Sequence, residues 1–492
     1  MARPTIKIND SHKYADSRSK SVNGLPYGYT TDIDTSVLKI AVIIPCYNAA
    51  NTVPDTLESL QRQTCQNWEA VCIDDGSTDD TPEMLRSFAA SDPRIHWARG
   101  PHKCPAAARN RGLSQATADR ALFLDADDLL IDPQALTTLL ERARTADDGD
   151  VVTGGYELLD THGQPLSVFH FPTKPNFSVD TLLGGNRIPP MTMVPIATLG
   201  PNPFDDDPEK RGCEDWDLWL RLAHKGVGCA VVPRALFGYR LRAGSLSHDP
   251  DRMFTSARRL IEQWSPRVTD RDATRDVMHK AACYFGAVAC ASGANDAVWR
   301  YFKDLPPLDP TDDFHAAVAG GIRHAFQCVR GATGQTWPKH ADEWLDESKT
   351  WLTDSPIAAH AETIIEHMRR FPTERQDPVE ITREFLTRHP NARRLMIYGL
   401  GTNGLTLLHR LRHQPAALVE QLCIADDHAD AAFFSALDLP AEDPRQWTEW
   451  PPATVAVITP NRADAMHQTL INAGATNGTH FIHLTGCPMA SA

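Results

Sequence analysis

The chain predicts an α/β fold, followed by a helical region and a second, smaller α/β unit. Three apolar runs in the first third carry the first part of that reading. Leu38-Lys-Ile-Ala-Val-Ile-Ile44, Glu69-Ala-Val-Cys-Ile73 and Arg120-Ala-Leu-Phe-Leu124 are strand-sized, with helical spacers between them. Each stops at a polar or acidic turn: Pro45-Cys-Tyr-Asn48, Asp74-Asp-Gly-Ser-Thr-Asp79 and Asp125-Ala-Asp-Asp128. Apolar strands alternating with helices predict a parallel sheet, in which ligands sit beyond the strand C-termini. Acidic residues at two of those ends suit a cation and a ribose better than bare phosphate.

The elements follow in order. Residues 1–37 lack periodicity and read as an extended arm. After the first strand, Val53, Leu57 and Leu60 share one face of a helix. Pro105-Ala-Ala-Ala-Arg-Asn-Arg-Gly112 is an Ala-rich helix start. Glu214-Asp-Trp-Asp-Leu-Trp219 opens an amphipathic helix that continues through Leu220 and Leu222, with Trp216 and Trp219 assigned mainly to packing. The first unit spans 38–254. A helical region spans 255–389, with signals at Ala281–Cys290, Val298–Phe302, His315–Val329 and Ile357–Phe371; Pro306, Pro307, Pro310, Pro338, Pro356 and Pro372 cut it into short helices. A small Rossmann-like α/β module spans 390–492, with strands at Arg394–Tyr398, Leu422–Ala425, Thr454–Ile458 and Thr479–His483.

In that module Gly399-Leu-Gly401-Thr-Asn-Gly404 follows a strand, and Asp426 stands about 20 residues further on, as in a dinucleotide fingerprint. Two readings stay open there. One is an NAD(P) or other nucleotide site at Gly399–Gly404; the other is a structural or assembly module with a tight strand-to-helix turn.

Composition narrows the function classes. At 492 residues the chain is too long for one core. A hydrophobic fraction of 42% with 23% charged residues is ordinary for a globular protein. The net charge of −14 argues against nucleic acid as a partner of the whole surface. Eleven cysteines are scattered without a Cys-x-x-Cys pair and read as small buried hydrophobes in a reducing compartment. No apolar run reaches the length of a membrane span, and Met1 to Ser36 has no signal-peptide core. The expectation is a cytoplasmic protein. Peripheral contact with the inner face of a membrane, and a homo-oligomer, stay open.

The ordered set Ile-Pro-Cys-Tyr-Asn, Asp-Asp-Gly-Ser-Thr-Asp, Ala108-Arg-Asn-Arg-Gly112, Asp-Ala-Asp and Glu214-Asp-Trp216 resembles a family-2 glycosyltransferase of the GT-A fold. The likeness covers roughly residues 38 to 250. Each motif alone is weak, but five in this order are specific. The resemblance implies a Rossmann-like mixed sheet that binds a nucleotide-sugar, and an inverting, metal-dependent transfer from a UDP-sugar to a hydroxyl. The acceptor would be a glycan, a lipid-linked glycan or a protein.

Site residues follow from the residue types and from that likeness together. Tyr47, flanked by Pro45 and Asn48, offers an aromatic face to a uracil-like base. Asp75 is the base-reading residue, accepting the imide N–H, while Asp74 and Asp79 are turn formers or helix caps. Arg109 reaches the base or diphosphate. Asp125 and Asp127, two apart in an extended segment, point into one cleft. One takes the ribose, and the other Mn²⁺ or Mg²⁺, hard cations that favour carboxylate and phosphate oxygens. His248 is the candidate for a third metal ligand, and Arg240 and Arg242 for diphosphate contacts. Asp215 matches the family's general base, with Glu214 orienting the base or the acceptor; Asp217 is an ordinary first-turn acid. Residues Asn186 to Met193 are expected on the acceptor side. A nucleotidyltransferase is the related-enzyme alternative, although such enzymes carry a basic Gly-rich loop where Pro-Cys-Tyr-Asn stands here. A non-catalytic nucleotide-sugar or glycan-binding scaffold is the other, but it has no need of a positioned base.

Overall fold

The first nine strands build one mixed sheet. They are β1 (Ile40–Cys46), β2 (Trp68–Asp74), β3 (Ile95–Arg99), β4 (Arg120–Phe123), β5 (Leu129–Leu130), β6 (Val151–Leu159), β7 (Pro165–His170), β8 (Thr192–Pro195) and β9 (Cys229–Arg240). The computed structural model describes residues 38–483 except 101–103, 171–176, 187, 208–210, 243–244, 246–248, 270–275, 295–298, 304, 306–309, 370–377, 399–401, 413–420, 426–436, 438, 440–453, 459–462, 473–474 and 476–480.

Strand order is β3-β2-β1-β4-β8-β6-β9-β5, with β7 on β6. The four strands β3, β2, β1 and β4 are parallel; β8 runs antiparallel to β4 and to β6. The chain winds outward from β1 to β3, then crosses to β4 on the other side of β1. That reversal opens a crevice at the C-terminal ends of β1 and β4, where open α/β sheets bind ligands.

The continuous apolar run of β1 fits its burial on both faces. Ala41 and Ile43 join Val71, Ile73, Ala121 and Phe123 in one core. Ile40, Val42 and Ile44 point the other way and join Ala70, Cys72 and Leu122. The second core is closed by Val53, Leu57 and Leu60 of helix Val53–Gln61, the face read from their spacing, and by helix Ala135–Arg144. The first core receives helix Pro105–Gln115, whose Gly112 sits so close that an added Cβ would lie 2.7 Å from Cγ2 of Ile43. Only glycine permits that approach.

Two elements correct the sequence reading. Strand β3 was not anticipated, so the Arg120 strand is the fourth and not the third. Helix Trp337–Thr353 was also missed. Helix Pro250–Trp264, capped by Asp249 accepting the Arg252 N–H at 3.1 Å, runs across the expected boundary at 254. Beyond it, helices Val277–Ala291, Asp312–Gly331, Trp337–Thr353 and Ala361–Arg369 pack side by side. They are not a free-standing array. Phe285, Val288, Ile322, Phe326, Trp344 and Ile364 belong to the same core as Ile43, Val71 and Phe123 of the sheet.

The C-terminal strands β10 (Arg394–Tyr398), β11 (Gln421–Ala425), β12 (Thr454–Ile458) and β13 (Phe481–His483) form a second, all-parallel sheet in the order β11-β10-β12-β13. Its Leu395, Ile397 and Leu408 share a core with Ala235 of β9. Gly399, Gly401 and Asp426, which carry the dinucleotide reading, lie outside the described residues, as do residues 1–37.

Candidate active site

Residues beyond β1, β2 and β4 meet at a cavity of about 660 Å³. After β1 the chain turns through Asn48, a non-glycine residue in the left-handed region with φ 48°. The turn is held from below. The Asn48 N–H donates to Ser77 Oγ at 2.9 Å, and its Oδ1 accepts the Thr78 N–H at 2.9 Å. The Asp75 N–H donates to the Cys46 carbonyl at 2.7 Å. Asp74 accepts the Ser77 N–H at 3.0 Å, and Asp79 accepts from Ala50 and Thr81, so both are the turn formers their setting suggested. Pro45, Tyr47, Asn48 and Asp75 all line the cavity; Asp75 is buried, and the Tyr47 ring is half exposed.

The end of β4 brings Asp125 and Asp127 into the same space. Arg109, from the helix against β1, donates to Asp125 Oδ1 at 2.6 Å and to Glu214 Oε1 at 2.8 Å. Its guanidinium therefore clamps two acids from different elements, and their charges hold its pKa above the ordinary arginine value against the pull of burial. Asp127 pairs with Arg242 at 3.1 Å. Burial, then the neighbouring Asp125 charge, raises the Asp127 carboxyl above its usual range.

Arg240 is the correction. Its side chain is 3% exposed and does not line the cavity. It donates through Nη2 to Asp55 at 2.8 Å and through Nε to the Asp127 carbonyl at 3.0 Å, while its backbone N–H donates to Asp128 Oδ1 at 3.0 Å. Arg240 thus props up the acidic strand end from behind; Arg242, two residues on, faces the cavity. His248 lies outside the described residues.

Helix Glu214–His224 places the last acids. Glu214 is buried on Arg109, and its other oxygen accepts the Gly212 N–H at 2.7 Å. Asp215 accepts from Asn186 Nδ2 at 2.9 Å. Burial pushes its carboxyl up to about 6, with the Glu214 charge adding to the rise, and Asn186 and Arg109 oppose it. Asp217 instead turns inward, accepting from Arg221 at 2.9 Å and from the Trp264 indole at 3.1 Å. Trp216 donates to the Leu182 carbonyl, and Trp219 is fully buried, so both are packing residues. Asn186, Ile188, Pro189, Pro190 and Met191 line the cavity.

Two contributors escaped the sequence reading. Arg211 lines the cavity just before the Glu214–Asp215 pair. Tyr284, Val288, His324, Cys328 and Val329 of the helical region complete its wall. No local sequence signal marks them; their role depends on the helices folding back onto the sheet.

The donor set suits a hard divalent cation. Asp125 and Asp127 share the cavity, and burial, then the Asp125 charge, raises the Asp127 carboxyl. Among the described residues no cluster of three or more His, Cys, Asp or Glu could hold a metal alone. A cation bound here would need oxygens beyond these two carboxylates, as Mg²⁺ takes from substrate phosphates.

Comparison with known proteins agrees. Residues 41–193 match the family model described as glycosyl transferase family 2. A putative teichuronic acid biosynthesis glycosyltransferase, TuaG, of Bacillus subtilis (strain 168) is 32% identical over 215 residues, 42% of this chain and 81% of that protein. An uncharacterized glycosyltransferase of Rickettsia felis is 38% identical over 261 residues, 49% of this chain but 40% of that protein. A second, from Rickettsia bellii, is 41% identical over 201 residues, 38% of this chain and 27% of the relative. The chain thus spans less than half the length of these two Rickettsia relatives. A solved structure of S. aureus TarS 1-349 in complex with UDP-GlcNAc aligns with a TM-score of 0.41 at 19% identity, covering 68% of this chain and 90% of that one, a likeness too low to argue from. With five ordered motifs gathered around one cavity and four-fifths of a named relative matched at 32% identity, the chain belongs to glycosyltransferase family 2.

Proposed function

We propose that this glycosyltransferase is inverting and metal-dependent, and that it moves a sugar from a UDP-sugar to a hydroxyl of a glycan, lipid-linked or protein acceptor. One observation carries the reading. The Asp125–Asp127 pair and Asp215, with a carboxyl near 6, line the same cavity at the reversal point of the sheet.

In this reading Tyr47 stacks on the base and Asp75 accepts its imide N–H. Asp125 takes the ribose, as the family likeness implies. A divalent cation held by Asp127, with Asp125, would neutralise charge developing on the departing diphosphate. Asp215 is the base: it removes the proton from the acceptor hydroxyl as that oxygen forms its bond to C1. The C1–O bond to the diphosphate breaks on the opposite face, and the UDP oxygen leaves with the electron pair. The anomeric centre inverts, and no covalent enzyme intermediate is needed. A carboxyl near 6 is well matched to this task at neutral pH: mostly ionised, yet basic enough to take a proton. Arg109 acts at one remove, fixing Asp125 and Glu214 in place.

We also propose that residues 38–254 carry the chemistry, that 255–389 complete the cavity wall, and that 390–492 form an appended module. No described helix is long and apolar enough to cross a membrane. The test is UDP release from a set of UDP-sugars with Mn²⁺, with and without sugar acceptors. Release that needs both the metal and a UDP-sugar supports the reading. Turnover of another nucleotide class alone removes the donor assignment.

A further inference from the structure

Among the described residues the cavity holds three arginines, and they are differently engaged. Arg109 bridges Asp125 and Glu214, and Arg242 pairs with Asp127. Arg211 lines the same cavity, but among the described residues its guanidinium meets no carboxylate. Its Nε, shielded from solvent, has no hydrogen-bond partner. The backbone around it is fixed. The Arg211 carbonyl accepts from Ser256 Oγ at 3.1 Å, and the next residue, Gly212, sits at φ 101° with its N–H on Glu214. Arg211 is therefore anchored beside the residues that present Asp215, on a different loop from the Asp125–Asp127 strand end.

Among the described residues the shielded Nε of Arg211 lacks an acceptor, and a bound anion would supply one. The lining contributed by the helical region is of another kind. Tyr284 and Val288 are aromatic and apolar, and His324 is held neutral, its pKa pulled to about 4 by burial and then by Arg323. A neutral aromatic surface suits the face of a sugar ring.

We propose that Arg211, with Tyr284 and His324, forms the acceptor subsite, and that the acceptor is a sugar bearing an anionic substituent, a carboxylate or a phosphate. This rests on the glycosyl-transfer reading above. Arg211 holds the substituent while the ring lies on the helical wall, which directs one hydroxyl towards Asp215. Arg211 is then a specificity residue: it touches substrate away from the reacting atoms and sets acceptor affinity rather than the rate of the chemical step.

The experiment titrates the full-length protein, saturated with UDP and Mn²⁺, with three probes by calorimetry: glucuronic acid, glucose 6-phosphate and methyl glucoside. One anionic sugar should bind about tenfold or more tightly than the neutral one, the gain expected of a charge-assisted hydrogen bond. Which of the two prevails separates carboxylate from phosphate. Arg211→Gln should abolish the preference and leave UDP affinity unchanged, whereas Arg211→Lys should keep part of it. Tyr284→Leu should weaken all three probes together. Equal binding of neutral and anionic sugars to the wild type overturns the proposal. So does a loss of UDP affinity in Arg211→Gln, which would put the arginine on the donor diphosphate. If the wild type binds no UDP, the donor reading itself fails, a distinct result that removes this proposal with it.

Discussion

Replacing Asp215 with Asn separates chemistry from binding. Asp215→Asn keeps the size of the side chain and most of its contact with Asn186, but it cannot accept a proton. With the wild-type carboxyl near 6, roughly nine molecules in ten carry the ionised base at pH 7. Removing a general base costs about 10²–10⁴ in rate, or ~3–5 kcal/mol of transition-state stabilisation, so turnover should fall by that factor. The pH profile gives a second, sharper reading. The base works deprotonated, and burial has raised its pKa, so wild-type kcat/KM should be level above pH 6 and fall about tenfold per unit below it. The variant should lose that acid limb. The assay is UDP release with Mn²⁺ and a working acceptor from pH 4.5 to 8, alongside UDP affinity by calorimetry. Transfer at the wild-type rate, or an acid limb that persists in the variant, refutes the assignment. Loss of UDP binding would make the residue structural instead.

Three further outcomes are expected. Asp127→Ala should abolish the Mn²⁺-dependent part of UDP affinity while leaving the denaturation midpoint unchanged; an unaltered affinity with metal, measured by calorimetry, removes Asp127 from the metal site. Arg109→Met strands the Asp125 and Glu214 charges, so denaturant unfolding should show a loss of about 3–5 kcal/mol, the usual result of breaking a buried pair from one side. It should also move the acid limb to higher pH, because Arg109 opposes the rise in the Asp215 pKa. A chain ending at residue 389 should still bind UDP with metal, since among the described residues none lining the cavity lies beyond Val329; a folded truncation without binding would make the C-terminal module part of the site.

The sheet and the acidic strand ends were legible because their signals are local. Continuous apolar runs mark β1, β2 and β4, and period two buries Ile43 one way and Ile44 the other; Asp125 and Asp127 share the cavity through a turn, closed by the Asp128 N–H on the Asp125 carbonyl, and not through the extended segment expected. Strand β3 escaped because it lies at the sheet edge, where His96 is exposed and only Ile95 is fully buried. Helix Trp337–Thr353 was in principle readable: Trp337, Ala341, Trp344, Ser348 and Trp351 recur at helical spacing beneath a charged surface, and all five are buried. Arg240 could not be separated from Arg242 by sequence, since the difference lies in Asp55, 185 residues earlier in the chain. Arg211 and the helical wall are products of tertiary packing alone.

The core shared between the sheet and the helices has a consequence during synthesis. The core that holds Ile43, Ile73 and Phe123 receives helix Pro105–Gln115 first, and extends to Phe285 and Val288 of helix Val277–Ala291 and Ile322 and Phe326 of helix Asp312–Gly331. These last two helices leave the ribosome roughly 150–200 residues after β4, an interval of about 8–40 s at ordinary elongation rates. For that time the nascent chain holds this core without its later helices. The first half of this chain therefore cannot complete that core as it is made, and a fragment cut at residue 254 would lack the contributions of Phe285, Val288, Ile322 and Phe326 permanently.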